Sequence, residues 1–318
     1  MTAQSAEACR GVLAAGSRSF NWASRFLSAD RRDDAAVVYT LCRTIDDIAD
    51  DASDPAAARA ELSELEHQLR GERPPSDLVA LFLEVADRRR FDVEPVLHLL
   101  EGARSDLGAV RIADHVSLLR YCYRVAGTVG LLMCGVLGVR AREARPFAVD
   151  LGIAMQLTNI VRDVAEDAKM GRVYLPADRL AAEGVRPQDL VAGRADRARV
   201  ARVVAGIVRD ADGYYASADR GMRFIPLRAR IAIYVASRVY REIGHRLLRR
   251  AGGDAFEGRT VVSTSRKAWV TMRALGHAVW NSLFGYPARS HHPDLHRGLD
   301  GLPGSDTPQA TLPERVAS

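Results

Sequence analysis

An all-α fold is predicted by three features of this 318-residue sequence: few stretches alternate apolar with polar residues, the segments between Gly or Pro breaks are long and rich in Ala, Leu and Arg, and their apolar residues recur at helical spacing. Hydrophobic residues make up 47% and charged residues 27%, the balance of a chain that packs a large core. Length does not divide it, because helical enzymes with one core reach this size. A single domain is expected over residues 1–285.

The first clear periodic segment runs from Ala35 to Asp51 and stops at the turn Asp54-Pro55. Helices follow at Pro55 to Leu69, Asp77 to Arg89 and Glu94 to Leu107, with breaks at Arg73-Pro74-Pro75 and Gly108. His115 to Leu137 is predicted as one helix. Its apolar run, Val125 to Val139, lies between Arg124 and Arg140 and is shorter than the roughly 20 residues of a membrane span, so a buried helix is expected. Ala141 to Val164, Arg194 to Ala218, Leu227 to Ala251 and Ser265 to Leu283 complete the set, interrupted at Gly171 to Pro176 and Gly252-Gly253. From about Tyr286 the composition turns to Pro, Gly, His, Ser and Asp, and residues 286–318 are expected to form an unpacked, disordered tail.

The net charge of +5 is almost entirely arginine, since Lys169 and Lys267 are the two lysines. Basic and acidic residues are mixed throughout, which argues against nucleic acid as a partner. Arginine does suit phosphate, to which its planar fork makes paired hydrogen bonds. The four cysteines form no CxxC pair and read as reduced thiols. The opening MTAQSAEACRGVLAAG lacks a basic and then apolar leader pattern, so a cytoplasmic location is expected.

Two acidic segments carry the chemistry. In CRTIDDIADD, a helix places Asp46 and Asp50 within about 40° of each other, with Asp47 and Asp51 about 100° further round. Asp46 and Asp50 can share a metal; a solvated acidic face is the plainer alternative. In QLTNIVRDVAEDAK, Gln156, Asn159, Asp163 and Asp167 span an arc of about 80° on a helix with much apolar surface. Such hard oxygen donors suit Mg²⁺, which keeps water sites for phosphate. The two faces can converge across a bundle, where they would repel each other without a cation. Arg43 and Arg162 either pair with acids on their own helices or grip phosphate oxygens.

Between these segments, Gly127, Gly130, Gly135 and Gly138 each cost a helix about 1 kcal/mol relative to alanine. Close helix packing and room for a long apolar ligand explain them equally well. Tyr121, Tyr123 and Tyr174 offer hydroxyls to phosphate, to a cation or to local partners. Gly16-Ser17-Arg18-Ser19-Phe20 can cap a helix or close over phosphates.

Taken together, SRSF, CRTIDDIADD, YCYRVAGTVG and QLTNIVRDVAEDAKMGRVYLP resemble the squalene and phytoene synthases, the head-to-head branch of the trans-prenyl synthases, over about Val12 to Leu283. GRVYLP, IPLRARIAIYVASRVYREIG and STSRK are most similar to the bacterial phytoene-forming members. The resemblance implies an isoprenoid-synthase-type bundle with a central cavity for two molecules of geranylgeranyl diphosphate. It implies Mg²⁺, with Mn²⁺ as a substitute, held by Asp46, Asp50, Asn159, Asp163 and Asp167. It assigns Gln156, Asn159, Arg43, Arg162, Ser17, Arg18, Ser19 and Tyr240 to substrate, and Tyr121 and Tyr174 to the reaction centre beside the aspartates. Gly16 departs from the dehydrosqualene synthases, which carry histidine there.

The implied reaction passes through prephytoene diphosphate to phytoene, releases two diphosphates and needs no NADPH. The implied partners are a membrane surface, touched peripherally on the inner face of the cell membrane, and a downstream desaturase. Two alternatives remain open. One is a C30 synthase making dehydrosqualene, squalene or hydroxysqualene from farnesyl diphosphate. The other is a silent assembly protein of the same fold, which retention of all four aspartates disfavours.

Overall fold

The computed structural model describes residues 3–16, 18–285 and 290–306. Helices α1 (Ala3–Gly16) and α2 (Arg18–Ser24) lead into α3 (Ala29–Asp50). A lobe of α4 (Pro55–Leu69), α5 (Asp77–Arg89) and α6 (Glu94–Ser105) packs against α3. Next come α7 (His115–Cys122), α8 (Thr128–Leu137) and the 25-residue α9 (Arg145–Lys169). Two short helices, α10 (Ala177–Ala182) and α11 (Pro187–Val191), precede α12 (Arg197–Gly221), α13 (Leu227–Ala251) and α14 (Thr264–Phe284). Among the described residues the only β pairing is an isolated parallel bridge between Arg111 and Val173.

Local chemistry sets these boundaries. Asp54, Ser76, Asp114, Asp196 and Ser263 each accept a hydrogen bond from a backbone N–H in the first turn of the helix that follows. Gly138 and Gly252 close α8 and α13 in the left-handed conformation that favours glycine. Helix α9 is the spine, packed on α8, α12 and α13. Its buried Ile153, Leu157, Ile160, Val161 and Val164 join one core with α12, while α3, α5 and α6 form a second.

Several expectations are corrected. Helix α3 begins six residues before Ala35, because Asp34 is buried in it and held by Arg88 and Arg89 at 2.5 Å each. The helix expected over His115 to Leu137 is interrupted by a π-helical turn at Tyr123–Gly127, which shifts the register between α7 and α8. Residues 290–306 lie against the body instead of forming part of an unpacked tail. Leu299 is buried, Tyr123 Oη donates to the Pro303 carbonyl and Tyr214 Oη to that of Leu295, each at 2.7 Å, and His291 and His296 reach buried Asp150. Polar contacts fasten this segment where apolar residues are too few. Residues 286–289 and 307–318 lie outside the described residues.

The glycines resolve toward close packing. A Cβ on Gly130 would sit 2.3 Å from the Ala148 carbonyl oxygen, and one on Gly152 would sit 2.2 Å from that of Ala126. The α8 and α9 backbones therefore touch, with no room for a side chain between them.

Candidate active site

A cavity of about 800 Å³ runs through the bundle between α3, α8, α9 and α13, with the segment before α14 at its polar end. On α9 its lining extends from Phe147 to Arg162, about 22 Å of helix axis. The deep part is apolar, including Met133, Leu137, Phe147 and Leu151. The other end gathers Arg43, Asp46, Gln156, Asn159, Arg162 and Arg259. Gly130 and Gly152 also line the space, so close packing and cavity shape share those positions.

Of the two acidic segments, Asp46, Gln156 and Asn159 line this polar end, whereas Asp50, Asp163 and Asp167 do not: Asp163 is held by the cavity-lining Arg162 and Arg259, and Asp167 lines a small separate space beside Arg172 and Tyr174. Asp46 lines the cavity, while Asp47 turns away to an ion pair with Arg43 one turn back on α3. Burial, then repulsion from Asp50, pushes the Asp46 carboxyl up to about 8. Burial, then repulsion from Asp163, pushes Asp167 up to about 7, and Asp50 and Asp106 add to it. Burial together with this repulsion makes the cluster a place where positive charge is stabilising.

Arginines occupy part of that role. Arg172 donates to Asp50 at 2.6 Å and to the Ala49 carbonyl at 2.8 Å, tying the loop after α9 to the end of α3. Arg162 donates to its neighbour Asp163 at 2.7 Å, and Arg259 reaches the same carboxylate at 3.2 Å. Arg43 and Arg162 thus make ion pairs on their own helices and face the cavity as well. Gln156 Oε1 accepts from Asn159 Nδ2 at 3.2 Å, which leaves Asn159 Oδ1 buried without a hydrogen-bond partner.

Tyr121 and Tyr174 do not line the cavity. Their rings stack at 4.8 Å, and both hydroxyls donate to Asp106, at 2.9 and 2.7 Å. Asp106 was not anticipated; burial pushes it up to about 6 against the pull of those hydroxyls, and its charge is felt by Asp46 and Asp167. Tyr240 does line the cavity, with its ring 5.5 Å from that of Phe20. Tyr39 was missed although it falls on the helical face of Asp46, seven residues earlier. A Cβ on Gly16 would meet Tyr39 Oη at 2.5 Å, so glycine there leaves space for the phenol. Ser17 and the side chains of Arg18 and Ser19 lie outside the described residues.

An all-α bundle whose two aspartate-bearing helices meet at the polar end of a long apolar cavity is an enzyme of the isoprenoid-synthase class. Residues 13–266 match the squalene/phytoene synthase family model, and the chain belongs to that family. It is 36% identical over 295 residues to a 15-cis-phytoene synthase of Pantoea ananas, covering 88% of this chain and 94% of that one. A phytoene synthase of Thermus thermophilus is 39% identical over 259 residues, covering 81% and 86%. Among solved structures, a dehydrosqualene synthase with bound ligand superposes with a TM-score of 0.78 at 26% identity, covering 87% of this chain and 97% of that one. A squalene synthase from Alicyclobacillus acidocaldarius gives 0.69 at 25% identity, covering 79% and 94%.

Proposed function

We propose that this chain condenses two molecules of geranylgeranyl diphosphate head to head into phytoene, through prephytoene diphosphate, with release of two diphosphates. The gathering of Asp46, Gln156, Asn159 and three arginines at the polar end of the apolar cavity, with Asp50, Asp163 and Asp167 near enough to act on one another's charge, carries this reading, and the phytoene synthases among its relatives support the C20 substrate. Asp46, Asp50, Asn159, Asp163 and Asp167 would hold Mg²⁺ or Mn²⁺. The partnerless Asn159 Oδ1 and the raised Asp46 and Asp167 fit a hard dication. When bound, the metal neutralises diphosphate and makes it a better leaving group.

The side chains divide the remaining work. Arg43, Arg162 and Arg259 bind phosphate oxygens, with Gln156 beside them. The apolar wall of Met133, Leu137, Phe147 and Leu151 keeps water from the allylic cation while the C2–C3 double bond of the second substrate attacks it. Tyr39, Tyr240 and Phe20 offer ring faces to positive charge. Asp106, with Tyr121 and Tyr174 on its two oxygens, adds negative charge beside Asp46 and Asp167 and so favours a bound dication. The sequence ends in proton loss and calls on no reductant. Purified protein supplied with Mg²⁺ and geranylgeranyl diphosphate is expected to form phytoene; a C30 product from farnesyl diphosphate alone, with or without NADPH, would overturn the C20 assignment.

A lipid product requires a lipid surface, and peripheral membrane contact through α14 is part of the proposal, with handover to a desaturase there. No helix among the described residues is long and apolar enough to cross a membrane. Helix α14 exposes Trp269, Met272 and Trp280, with Arg266 and Arg273 over the Trp269 ring at 4.1 and 4.8 Å. Aromatic rings beside cations suit the interface of an anionic bilayer. Ser263, Thr264 and Lys267, where this helix starts, line the cavity. Trp269→Ser with Met272→Ser is expected to weaken sedimentation with phosphatidylglycerol vesicles, and unchanged binding would remove α14 from the proposal.

A further inference from the structure

The C-terminal segment carries two buried imidazoles that the proposed chemistry leaves unused. His291 and His296 each bring Nε2 to 2.9 Å from a different oxygen of Asp150. All three side chains are buried, at 2%, 5% and 0% exposure. Asp150 belongs to α9 but faces away from the carboxylate stripe. At about 100° and 1.5 Å per residue it projects about 140° from Asp163 and lies about 20 Å along the axis from it.

His296 sets the electrostatics of this group. Its Nδ1–H donates to the Ser305 carbonyl at 2.7 Å, since a carbonyl oxygen only accepts. In a neutral imidazole the remaining nitrogen, Nε2, then presents a lone pair to a carboxylate oxygen that also presents one. Two acceptors at 2.9 Å require a cation on or between them. A proton on His296 meets that need, and so does a metal ion.

We propose that Asp150, His291 and His296 bind one divalent transition metal of the zinc class, which fastens residues 290–306 to α9. An Nδ1–H donated to a backbone carbonyl is the arrangement that orients a metal-binding imidazole with Nε2 toward the ion. One ligand atom from each of the three residues already lies within 4.8 Å of the others. Two donors about 2.1 Å from one tetrahedral zinc are about 3.4 Å apart, so the most separated of these atoms would draw together by about 1.4 Å, within reach of side-chain rotation. Both Asp150 oxygens with two imidazole nitrogens supply four donors, the usual number for zinc. Two imidazoles select such a metal over Mg²⁺, which distinguishes this site from the oxygen donors at the cavity.

Groups facing the site fit a closed, anchored metal. The Phe147 ring lies edge-on to His291 at 5.3 Å, Tyr214 sits beside Asp150 with its hydroxyl on the Leu295 carbonyl, and Asp306 adds negative charge toward His296.

Zinc titrated against a chelating dye into full-length protein stripped of metal is expected to load one more equivalent in the wild type than in the double variant His291→Ala/His296→Ala. Amide exchange across 290–306 is expected to slow about 100-fold at zinc one hundred times above Kd, in the wild type alone. Asp150→Asn removes the charge while keeping the shape; it is expected to lower zinc affinity and provides the comparison if the double variant folds poorly. Equal zinc stoichiometry and affinity in the wild type and both variants would overturn the proposal. So would a wild type that takes up no zinc while NMR shows both ring protons on His296, which leaves a proton alone as the cation.

Discussion

The carboxyls of Asp46 and Asp167 hold protons at pH values where isolated aspartate does not, and this has a direct consequence for stability. With the folded values raised to about 8 and about 7, the metal-free folded chain binds more protons than the unfolded chain from about pH 4 upward through that range. This contribution therefore favours the folded state at low pH and is lost as pH rises through the raised values. A bound dication offsets the same repulsion. Mg²⁺ is accordingly expected to raise the melting temperature more above about pH 8 than near pH 6 in thermal scans at fixed ionic strength; an equal rise at both would place the ion elsewhere. Asp50→Ala and Asp163→Ala are each expected to cut turnover at least about 100-fold with the helical circular dichroism retained. Helical arithmetic separates Asp46 from Asp47 and aligns Gln156, Asn159, Asp163 and Asp167, so these residues were legible in the sequence. Asp106, Arg172 and Arg259 were not, because each reaches the cluster from a turn or loop whose placement depends on tertiary packing.

At the scale of elements, the packing of α9 on α8 and on the π turn before it is fixed by what glycine lacks. Gly152→Ala brings a methyl to 2.2 Å from the Ala126 carbonyl oxygen, where backbone must yield. A loss of about 1–3 kcal/mol is expected from such overpacking. Gly213 on α12 has nothing within 4 Å of its would-be Cβ, and alanine there is expected to stabilise by about 0.5–1 kcal/mol through helix propensity. Urea melts of the two variants should move in opposite directions, and a common direction would mean that propensity, not contact, decides at Gly152. Long periodic helices such as α5 and α13 could be bounded from the sequence because caps and glycines mark their ends. The π turn at Tyr123–Gly127 could not, since one extra residue in a turn leaves the apolar pattern almost unchanged. Helix α2 escaped because it has only seven residues, and α1 because its apolar face is weakly patterned and is completed only by packing on α3.

The whole molecule encloses its cavity by wrapping helices around α9, and the cavity's length follows from where that wrapping stops. The polar end is set by Asn159 and Arg162, the deep end by Phe147 and Ala148 on α9 and Leu137 on α8. This depth was not legible in the sequence, because it depends on how closely two glycine-bearing backbones approach. Ala148 is half-buried and lines the deep end, so a larger side chain there shortens the space while leaving the carboxylates and arginines in place. Transfer energies of about 0.8 kcal/mol per buried CH₂ make the last isoprene units of a C20 chain a large part of its binding. Ala148→Phe is therefore expected to raise KM for geranylgeranyl diphosphate at least about tenfold and to increase the share of C30 product when farnesyl diphosphate competes, both read by chromatography of the extracted hydrocarbons. A variant that loses turnover with both substrates equally would indicate a disturbed α8–α9 crossing, whereas unchanged selectivity with normal turnover would mean that the prenyl tail does not reach Ala148.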